Sequence, residues 1–367
     1  MNMAVAGGGT GGHLFPGIAI AEEFLQRDPE NAILFIGTSH GLEARIVSQL
    51  GFALQTIRVK GLKGKGMASQ MLSLLLLPGA LLQSRNCLRR FNADIVCGVG
   101  GYVSAPAVMA AALQGTPAVI HEQNSFPGLS NRILGNYADR VFVSYEESSS
   151  FFPQDKTVFT GMPLRRTLLE HRMPVRDSVF TILVLGGSQG SHEINEAVAE
   201  AVSHLAALKE RVRIIHQSGA ADAAMLAGVY EKHRLDAQVI SFIDDMTSAY
   251  GKAHLVISRA GAATLAELAF CGRAALLIPY PHAANNHQEK NARVLVERGA
   301  AQMLLSPELT GEKLAQAIID AELHREQLQE MEERARGLAK PQAAREIVDH
   351  CYELVARRQR ARKGTFH

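Results

Sequence analysis

Two stretches of this chain leave bare backbone where an anion could sit. The first reads Gly7-Gly8-Gly9-Thr10-Gly11-Gly12-His13, directly after a short apolar run. Without side chains the backbone can come close to a phosphate, and a helix that follows aims its unpaired N–H groups at it. Gly7, Gly9 and Gly12 also fit the G-x-G-x-x-G spacing of dinucleotide folds. That reading requires a carboxylate closing the second strand, to hold a ribose. The strand closes instead with Ile36-Gly37-Thr38-Ser39, so no nicotinamide cofactor is expected. His13 is either a helix-start residue of no consequence or a contact to substrate. The second stretch, Gly186-Gly187-Ser188-Gln189-Gly190, again lies between a strand and a helix, and Ser188 can donate to a phosphate.

Polar clusters mark other strand ends. Gly98-Val99-Gly100-Gly101-Tyr102 precedes Ser104-Ala105-Pro106, where Pro106 suits the first turn of a helix. His121-Glu122-Gln123-Asn124 follows an apolar run, and four polar residues there are costly to bury without partners. Ser258-Arg259-Ala260-Gly261-Ala262-Ala263-Thr264 leads into Leu265-Ala266-Glu267-Leu268. Thr264 and Glu267 have the spacing of a capping box. The small residues also let a diphosphate rest on the helix N-terminus. A carboxylate one turn in can then accept both hydroxyls of a ribose. Pro279-Tyr280-Pro281-His282, then His287, Gln288 and Asn291, form a further polar strand end. His282 and His287 lack additional metal-type partners, so no zinc site is expected.

These clusters need a scaffold that gathers strand ends. Strands over 3–6, 32–36, 93–99, 117–121 and 140–143 alternate with helices over 18–25, 43–50 and 105–113. The pattern restarts with strands 180–185, 213–216, 237–242, 255–258 and 274–279 and a helix over 194–208. Such alternation predicts an α/β fold with parallel sheets covered on both faces. The same architecture is used twice. Ligands bind these sheets at the carboxyl ends of the strands, where nearly every cluster falls. Two facing sheets of this kind make one interdomain cleft. Gly161, Pro163 and Pro174 punctuate a domain boundary within 159–177. The helical segment 341–360 is expected to pack back on the first domain.

The 367 residues suit two domains, and 47% hydrophobic with 20% charged residues excludes a disordered chain. A net charge of +2 makes no case for nucleic acid. Cys87, Cys97, Cys271 and Cys351 show no metal or redox spacing and fit a reducing cytoplasm. The N-terminus enters a strand with no charged leader. The apolar run 74–82 is interrupted by Pro78-Gly79 and falls far short of the ~20 residues of a spanning helix. The tail carries Arg357, Arg358, Arg360, Arg362 and Lys363, which reads as a solvated end.

In order and type, the motifs resemble those of the MurG family, the membrane-associated N-acetylglucosaminyltransferases that complete the lipid-linked disaccharide of peptidoglycan. The resemblance rests on Gly8 to His13, Gly100-Gly101-Tyr102, His121 to Asn124, Gly186 to Gly190, Phe242-Ile243-Asp244-Asp245-Met246 and Ser258 to Thr264. It spans essentially the whole chain and implies a GT-B fold. Residues 1–161 with 341–367 would take the acceptor and the membrane, and 162–340 the donor. UDP-N-acetylglucosamine is the implied donor. Ile243 would meet uracil through its backbone, and Ser188, Ala262, Ala263 and Thr264, with Leu265 beside them, would line the diphosphate. Glu267 would hold the ribose, and Gln288 and Asn124 the sugar. Arg165 occupies the family's hinge arginine. Thr10, Gly11 and Gly12 would also reach the donor. Met162 stands where many members have Asn, and His192 where many have Arg.

The implied reaction is inverting transfer to the 4-hydroxyl of a muramoyl-pentapeptide on undecaprenyl pyrophosphate. A single displacement needs a base near that hydroxyl, and His13 and Glu122 are the candidates. The first loop would grip the acceptor pyrophosphate, with Gly9, Gly101 and Tyr102 on the acceptor side. Helix N-termini and Arg165 would stabilise the leaving UDP. No tightly bound cofactor and no protein metal site is implied, although a divalent cation can assist. Lys63 and Lys65 would meet anionic headgroups at the cytoplasmic face of the membrane while Met71, Leu74, Leu75, Leu77 and Leu81 dip into it. The plainer alternative is a buried helix with lysines at its solvated start. Other cell-wall synthesis proteins are further implied partners, and nucleic acid is not one. The competing functions are another GT-B enzyme, such as a lipid glycosyltransferase or UDP-sugar epimerase, and a non-catalytic UDP-sugar sensor.

Overall fold

The computed structural model describes residues 1–8, 11–39, 42–59, 67–187 and 189–364. The chain forms two compact units, Met1–Arg166 with Lys340–His367, and Thr167–Ala339. The expected boundaries at 161/162 and 340/341 give way to 166/167 and 339/340, which leaves Arg165 and Lys340 in the first unit.

Among the described residues, the first unit holds seven strands: β1 (Asn2–Ala6), β2 (Ala32–Gly37), β3 (Ala53–Thr56), β4 (Ile95–Gly98), β5 (Ala118–Glu122), β6 (Arg140–Val143) and β7 (Thr157–Phe159). All pair in parallel, in the order β3-β2-β1-β4-β5-β6-β7. The order reverses between β1 and β4, so the loops leaving these two strands share one crevice. β4 and β5 are buried along their whole length. That explains apolar runs with no alternation, since both faces of a parallel sheet are covered. The helices are α1 (Gly11–Arg27), α2 (Leu42–Gln49), α3 (Met67–Phe91), α4 (Ser104–Gln114) and α5 (Leu129–Leu134), with α6 (Arg166–Glu170) at the boundary. On one face Leu14, Ile18 and Phe24 of α1 and Val47 of α2 pack on Met3, Val5, Phe35 and Cys97. On the other, Leu88 of α3, Ala107, Val108 and Ala111 of α4 and Leu134 of α5 pack on Ala4, Ala6, Val96 and Ile120. Adjacent residues of β1 thus serve opposite layers.

Three local expectations are revised. α1 starts at Gly11 rather than Ile18, because Leu14 and Pro16 are already buried there and packing outweighs the poor helix propensity of glycine. This places His13 on the first turn. α3 runs unbroken through Pro78-Gly79. Leu77, Pro78 and Gly79 are all exposed, so the carbonyl that loses its N–H partner can turn to water. β3, β7 and the strand at 302–303 lack an apolar run because they are short and lie at sheet edges.

The second unit holds β8 (Phe180–Leu185), β9 (Val212–Gln217), β10 (Asp236–Ile240), β11 (Leu255–Ser258), β12 (Ala274–Leu277) and β13 (Gln302–Met303), again parallel, in the order β10-β9-β8-β11-β12-β13. Its reversal lies between β8 and β11. Around it run α7 (His192–His204), α8 (Ala223–His233), α9 (Met246–Lys252), α10 (Ala262–Cys271), α11 (His287–Glu297), α12 (Gly311–Leu323) and α13 (Arg325–Gly337). The core joins Ile182 and Val184 of β8 with Ile194 and Val198 of α7 and Leu314 and Ile318 of α12.

The last helix, α14 (Ala343–Gly364), lies against α1, and its Ile347, Val348, Cys351 and Val355 are part of the first unit's core. Among the described residues no helix is long and apolar enough to cross a membrane. Because Ile347 is fully buried, Ile347→Ala should lower stability by about 2–5 kcal/mol, the range for a large-to-small core change. Urea unfolding checks this, and an unchanged midpoint would show that α14 is not integral to the core.

Candidate active site

The first unit's crevice is closed by backbone meeting backbone. Gly101 has a φ of +80°, and a Cβ there would fall 2.6 Å from the Gly8 carbonyl oxygen. Only glycine fits a loop held so closely against the one leaving β1. His13, half-buried, lies over Gly100: a Cβ on Gly100 would stand 2.7 Å from its Cδ2 and 3.1 Å from its Nε2. The same point is 3.4 Å from Oε1 of Gln123. His13 and Gln123 therefore converge on one glycine. Tyr102 beside them is exposed.

The His121 to Asn124 cluster is a wired unit. Gln123 Nε2 donates to the Val99 carbonyl at 2.9 Å, to the His121 carbonyl at 3.2 Å and to His121 Nδ1 at 3.1 Å. His121 Nδ1 is thereby an acceptor, so its proton sits on Nε2, which faces the Gly161 carbonyl at 3.2 Å. Burial holds the His121 pKa down to about 4. Glu122, also buried, accepts from Asn124 N at 2.9 Å, Asn124 Nδ2 at 3.2 Å, Gly128 N at 3.2 Å and Asn131 Nδ2 at 2.9 Å. Burial raises its pKa against the pull of these donors.

A carboxylate does lie under the first glycine loop. Glu43, buried, accepts from Thr38 N at 2.9 Å and Thr38 Oγ1 at 2.8 Å, and a Cβ on Gly8 would fall 2.5 Å from its Cδ. It arrives from α2 rather than from the end of β2. Closed from solvent, it braces the loop and holds no ribose. Arg165 stacks its guanidinium 5.1 Å from the Phe15 ring centre.

In the second unit Gly190 also has a φ of +80°, and a side chain there would run into the Ser218 carbonyl. Asn195 of α7 secures that neighbour: its Nδ2 donates to the Ser218 carbonyl at 2.8 Å and to Asp222 Oδ2 at 2.7 Å. Its Oδ1 accepts from His216 Nε2 at 3.0 Å, and His216 Nδ1 lies 2.8 Å from the Tyr230 hydroxyl. Burial lowers the His216 pKa to about 4. Gln217 spans two loops. Its Nε2 donates to the Gly187 carbonyl at 2.8 Å, and its Oε1 accepts from Ile243 N at 2.9 Å. Arg259 donates to the Ile278 and Pro279 carbonyls, to Ser191 Oγ at 2.7 Å and to Glu193 at 2.6 Å. It ties loops together.

α10 opens after Gly261 with no side-chain cap, so its first N–H groups point into the crevice mouth beside Ala262 and Ala263. Glu267, one turn in and largely buried, accepts from the Tyr250 hydroxyl at 2.9 Å. Gln288 Oε1 accepts from Tyr280 N at 2.9 Å.

Residues 3–143 match the glycosyltransferase family 28 N-terminal domain and residues 181–349 its C-terminal domain. A relative from Geobacter sp. (strain M21) is 49% identical over 351 residues, 95% of each chain. It is named UDP-N-acetylglucosamine--N-acetylmuramyl-(pentapeptide) pyrophosphoryl-undecaprenol N-acetylglucosamine transferase. A relative of the same name from Myxococcus xanthus (strain DK1622) is 47% identical over 357 residues, 97% of this chain and 93% of its own. The crystal structure of Acinetobacter baumannii MurG is 32% identical, with a TM-score of 0.77 over 96% of this chain and 99% of that one. This chain belongs to the MurG family. It is a glycosyltransferase, and its two α/β units are those of the GT-B fold.

On this MurG-family fold, the expected residues separate. His13, Gly11, Gly12, Gly101, Tyr102 and Asn124 gather at the first unit's strand edge. Ala262, Ala263, Thr264, Glu267, Gln288 and Ile243 gather at the second unit's edge. Gly9, Thr10, Ser188, Lys63 and Lys65 lie outside the described residues, as does the Leu75 side chain. The geometry bears on several of these expectations. Glu122 is unsuited as the base, because it is 2% exposed and its oxygens are engaged by four N–H donors. The Leu265 side chain is buried and its N–H donates to the Gly261 carbonyl at 3.0 Å. The Ile243 N–H donates to Gln217 Oε1 at 2.9 Å, so the expected backbone contact would fall to its carbonyl. Thr264 and Glu267 form no capping box, since the helix begins at Ala262 and Glu267 turns to Tyr250. Leu81 is likewise no free membrane contact, being half-buried against the core beneath α3.

Sequence reasoning missed five residues that brace these clusters through hydrogen bonds: Glu43, Asn195, His216, Gln217 and Tyr250. Gln217-Ser218-Gly219 closes a strand just as the other polar clusters do, and that signal could have found it. Asn195 stands out as polar between Ile194 and Ala197 on a buried helix face. Nothing local marks Tyr250.

His121 and His216 are held neutral, with pKa values near 4 against about 6.5 for an exposed histidine. The unfolded chain then binds more protons below pH 6.5, so stability should be full above that pH and fall as the pH drops toward 4. A urea midpoint that stays constant between about pH 7.5 and 5 would contradict the assignment of neutral buried imidazoles.

Proposed function

We propose that the chain transfers N-acetylglucosamine, with inversion, from UDP-N-acetylglucosamine to the 4-hydroxyl of undecaprenyl-pyrophosphoryl-N-acetylmuramyl-pentapeptide. The observation that carries this is identity of 49% over 95% of the chain to a transferase of that name. Each glycine loop keeps the close packing an anion site needs. This is the lipid I to lipid II step of peptidoglycan synthesis.

His13 acts as the base, and it takes the proton as the acceptor oxygen attacks the anomeric carbon. It stands at the mouth of α1, over Gly100 and next to the loop for the acceptor pyrophosphate. The departing UDP keeps its bonding pair, and the N–H groups that open α10 stabilise that charge. Thr264 and Ala263 line the diphosphate, Glu267 takes the ribose, and Gln288 and Asn124 take the sugar. The Ile243 carbonyl meets the uracil. Glu122 shapes the Asn124 loop and stays out of the proton transfer.

Contact with the membrane belongs to the same reading. Leu77 and Leu82 of α3 are 43% and 55% exposed, and Arg85 and Arg89 on that helix are exposed with them. Leu113 on the adjacent α4 is 69% exposed. Leucines beside arginines suit the interface of an anionic bilayer at its cytoplasmic face.

With radiolabelled donor, label should move to the undecaprenyl-linked acceptor and not to diacylglycerol, with no epimerised UDP-sugar. Binding without turnover would favour a sensor. His13→Ala should cut turnover by about 100- to 10,000-fold and leave UDP affinity near wild type; an unaffected rate removes His13 from the mechanism. Leu77→Glu with Leu82→Glu should abolish cosedimentation with phosphatidylglycerol vesicles and preserve UDP binding. Full retention on vesicles would sink the α3 interface.

A further inference from the structure

Glu267 does not hold its own orientation. A carboxylate at the end of a glutamate turns broadly about its last torsion unless something fixes it. The Tyr250 hydroxyl does so, at 2.9 Å from Oε2. Tyr250 is fully buried, and it comes from α9 rather than from the helix that carries Glu267.

α9 is itself fixed at both ends. Asp245 caps its start, with Oδ1 accepting from Ser248 N at 2.9 Å. Arg273, buried after α10, donates from Nε to the Tyr250 carbonyl at 2.6 Å and from Nη2 to the Gly251 carbonyl at 3.2 Å. Its positive charge sits over two carbonyls at the C-terminal end of α9, where a cation is favoured. The residue just before Asp244-Asp245 is Ile243, whose carbonyl faces the base in the reading above. One short helix thus connects the loop that meets the base to the carboxylate that meets the ribose.

We propose that Tyr250 is a positioning residue for nucleoside diphosphate recognition: its hydroxyl holds the Glu267 carboxylate so that it discriminates donors by their ribose hydroxyls. This rests on the assignment of Glu267 to the ribose. The phenol donates and the carboxylate accepts through Oε2. The ligand class is a ribonucleoside diphosphate, and the 2′-hydroxyl is the group that reports the effect.

The test uses the full chain and two probes, UDP and 2′-deoxy-UDP. Tyr250→Phe keeps the ring in the core and removes only the donor. Its UDP dissociation constant should rise roughly tenfold, on the order of one hydrogen bond to a charged group. The preference for UDP over 2′-deoxy-UDP should collapse toward unity, with kcat at saturating donor and Tm close to wild type. In a double-mutant cycle with Glu267→Gln, the two losses should not add. A Tyr250→Phe variant that retains the wild-type preference, or that weakens both probes equally as Tm falls, overturns the proposal. Glu267→Ala separates the two levels. If that variant keeps the preference, the ribose assignment itself fails. If it loses the preference and Tyr250→Phe does not, only the role of Tyr250 fails.

Discussion

Where loops leave neighbouring strands, the chain passes so close to itself that one methyl group would force the loops apart. In the first unit a Cβ on Gly7 would strike Val99, and one on Gly101 would meet the Gly8 carbonyl. In the second, Gly190 abuts the Ser218 carbonyl, and Gly219 abuts Gln189. These contacts follow from parallel strands packed side by side, because neighbouring strands end at nearly the same level and their loops must share the space above. The starts of α1 and α7, which follow β1 and β8, are held in place by that crowding. Their N–H groups are therefore aimed before any anion arrives, and binding does not have to order them.

A second layer of constraint comes from buried polar side chains. Gln123, Asn195 and Gln217 each reach from their own element to the carbonyl of another loop. Burying an amide is costly unless its hydrogen bonds are made, so a distorted loop would leave several groups unpaired at once. His121 and His216 join these networks as neutral rings, because burial would desolvate a charge there, and for His216 this outweighs the pull of the Asp222 carboxylate. The three carboxylates near the crevices differ for the same reason. Glu122 and Glu43 accept from N–H and O–H donors of neighbouring loops, whereas Glu267 accepts from the Tyr250 hydroxyl of another helix. Residue type alone could not tell these settings apart.

The primary sequence determined the fold class, the repeat of the architecture and the strand edges that carry the chemistry. Apolar runs, bare glycine loops and polar clusters at strand ends are local patterns, and each records a local cause. That is why Gly7 to His13, His121 to Asn124 and Ser258 to Thr264 could be read directly. The short edge strands β3, β7 and β13 were hidden because exposure removes the apolar run that marks a strand. The early start of α1 was hidden because burial of Leu14 and Pro16, not propensity, makes that turn helical.

Only the tertiary structure decided which partners hold each member of these clusters. Glu122 looked as good a base as His13 until Asn124, Gly128 and Asn131 were seen around it. Glu43 was passed over because its carboxylate arrives from another element than the one searched. Tyr250 lies 17 residues from Glu267 in sequence, with nothing local to link them. The physical reason is common to all three: a side chain's hydrogen-bond partners depend on which elements pack together, and that is set by burial over the whole unit rather than by spacing along the chain.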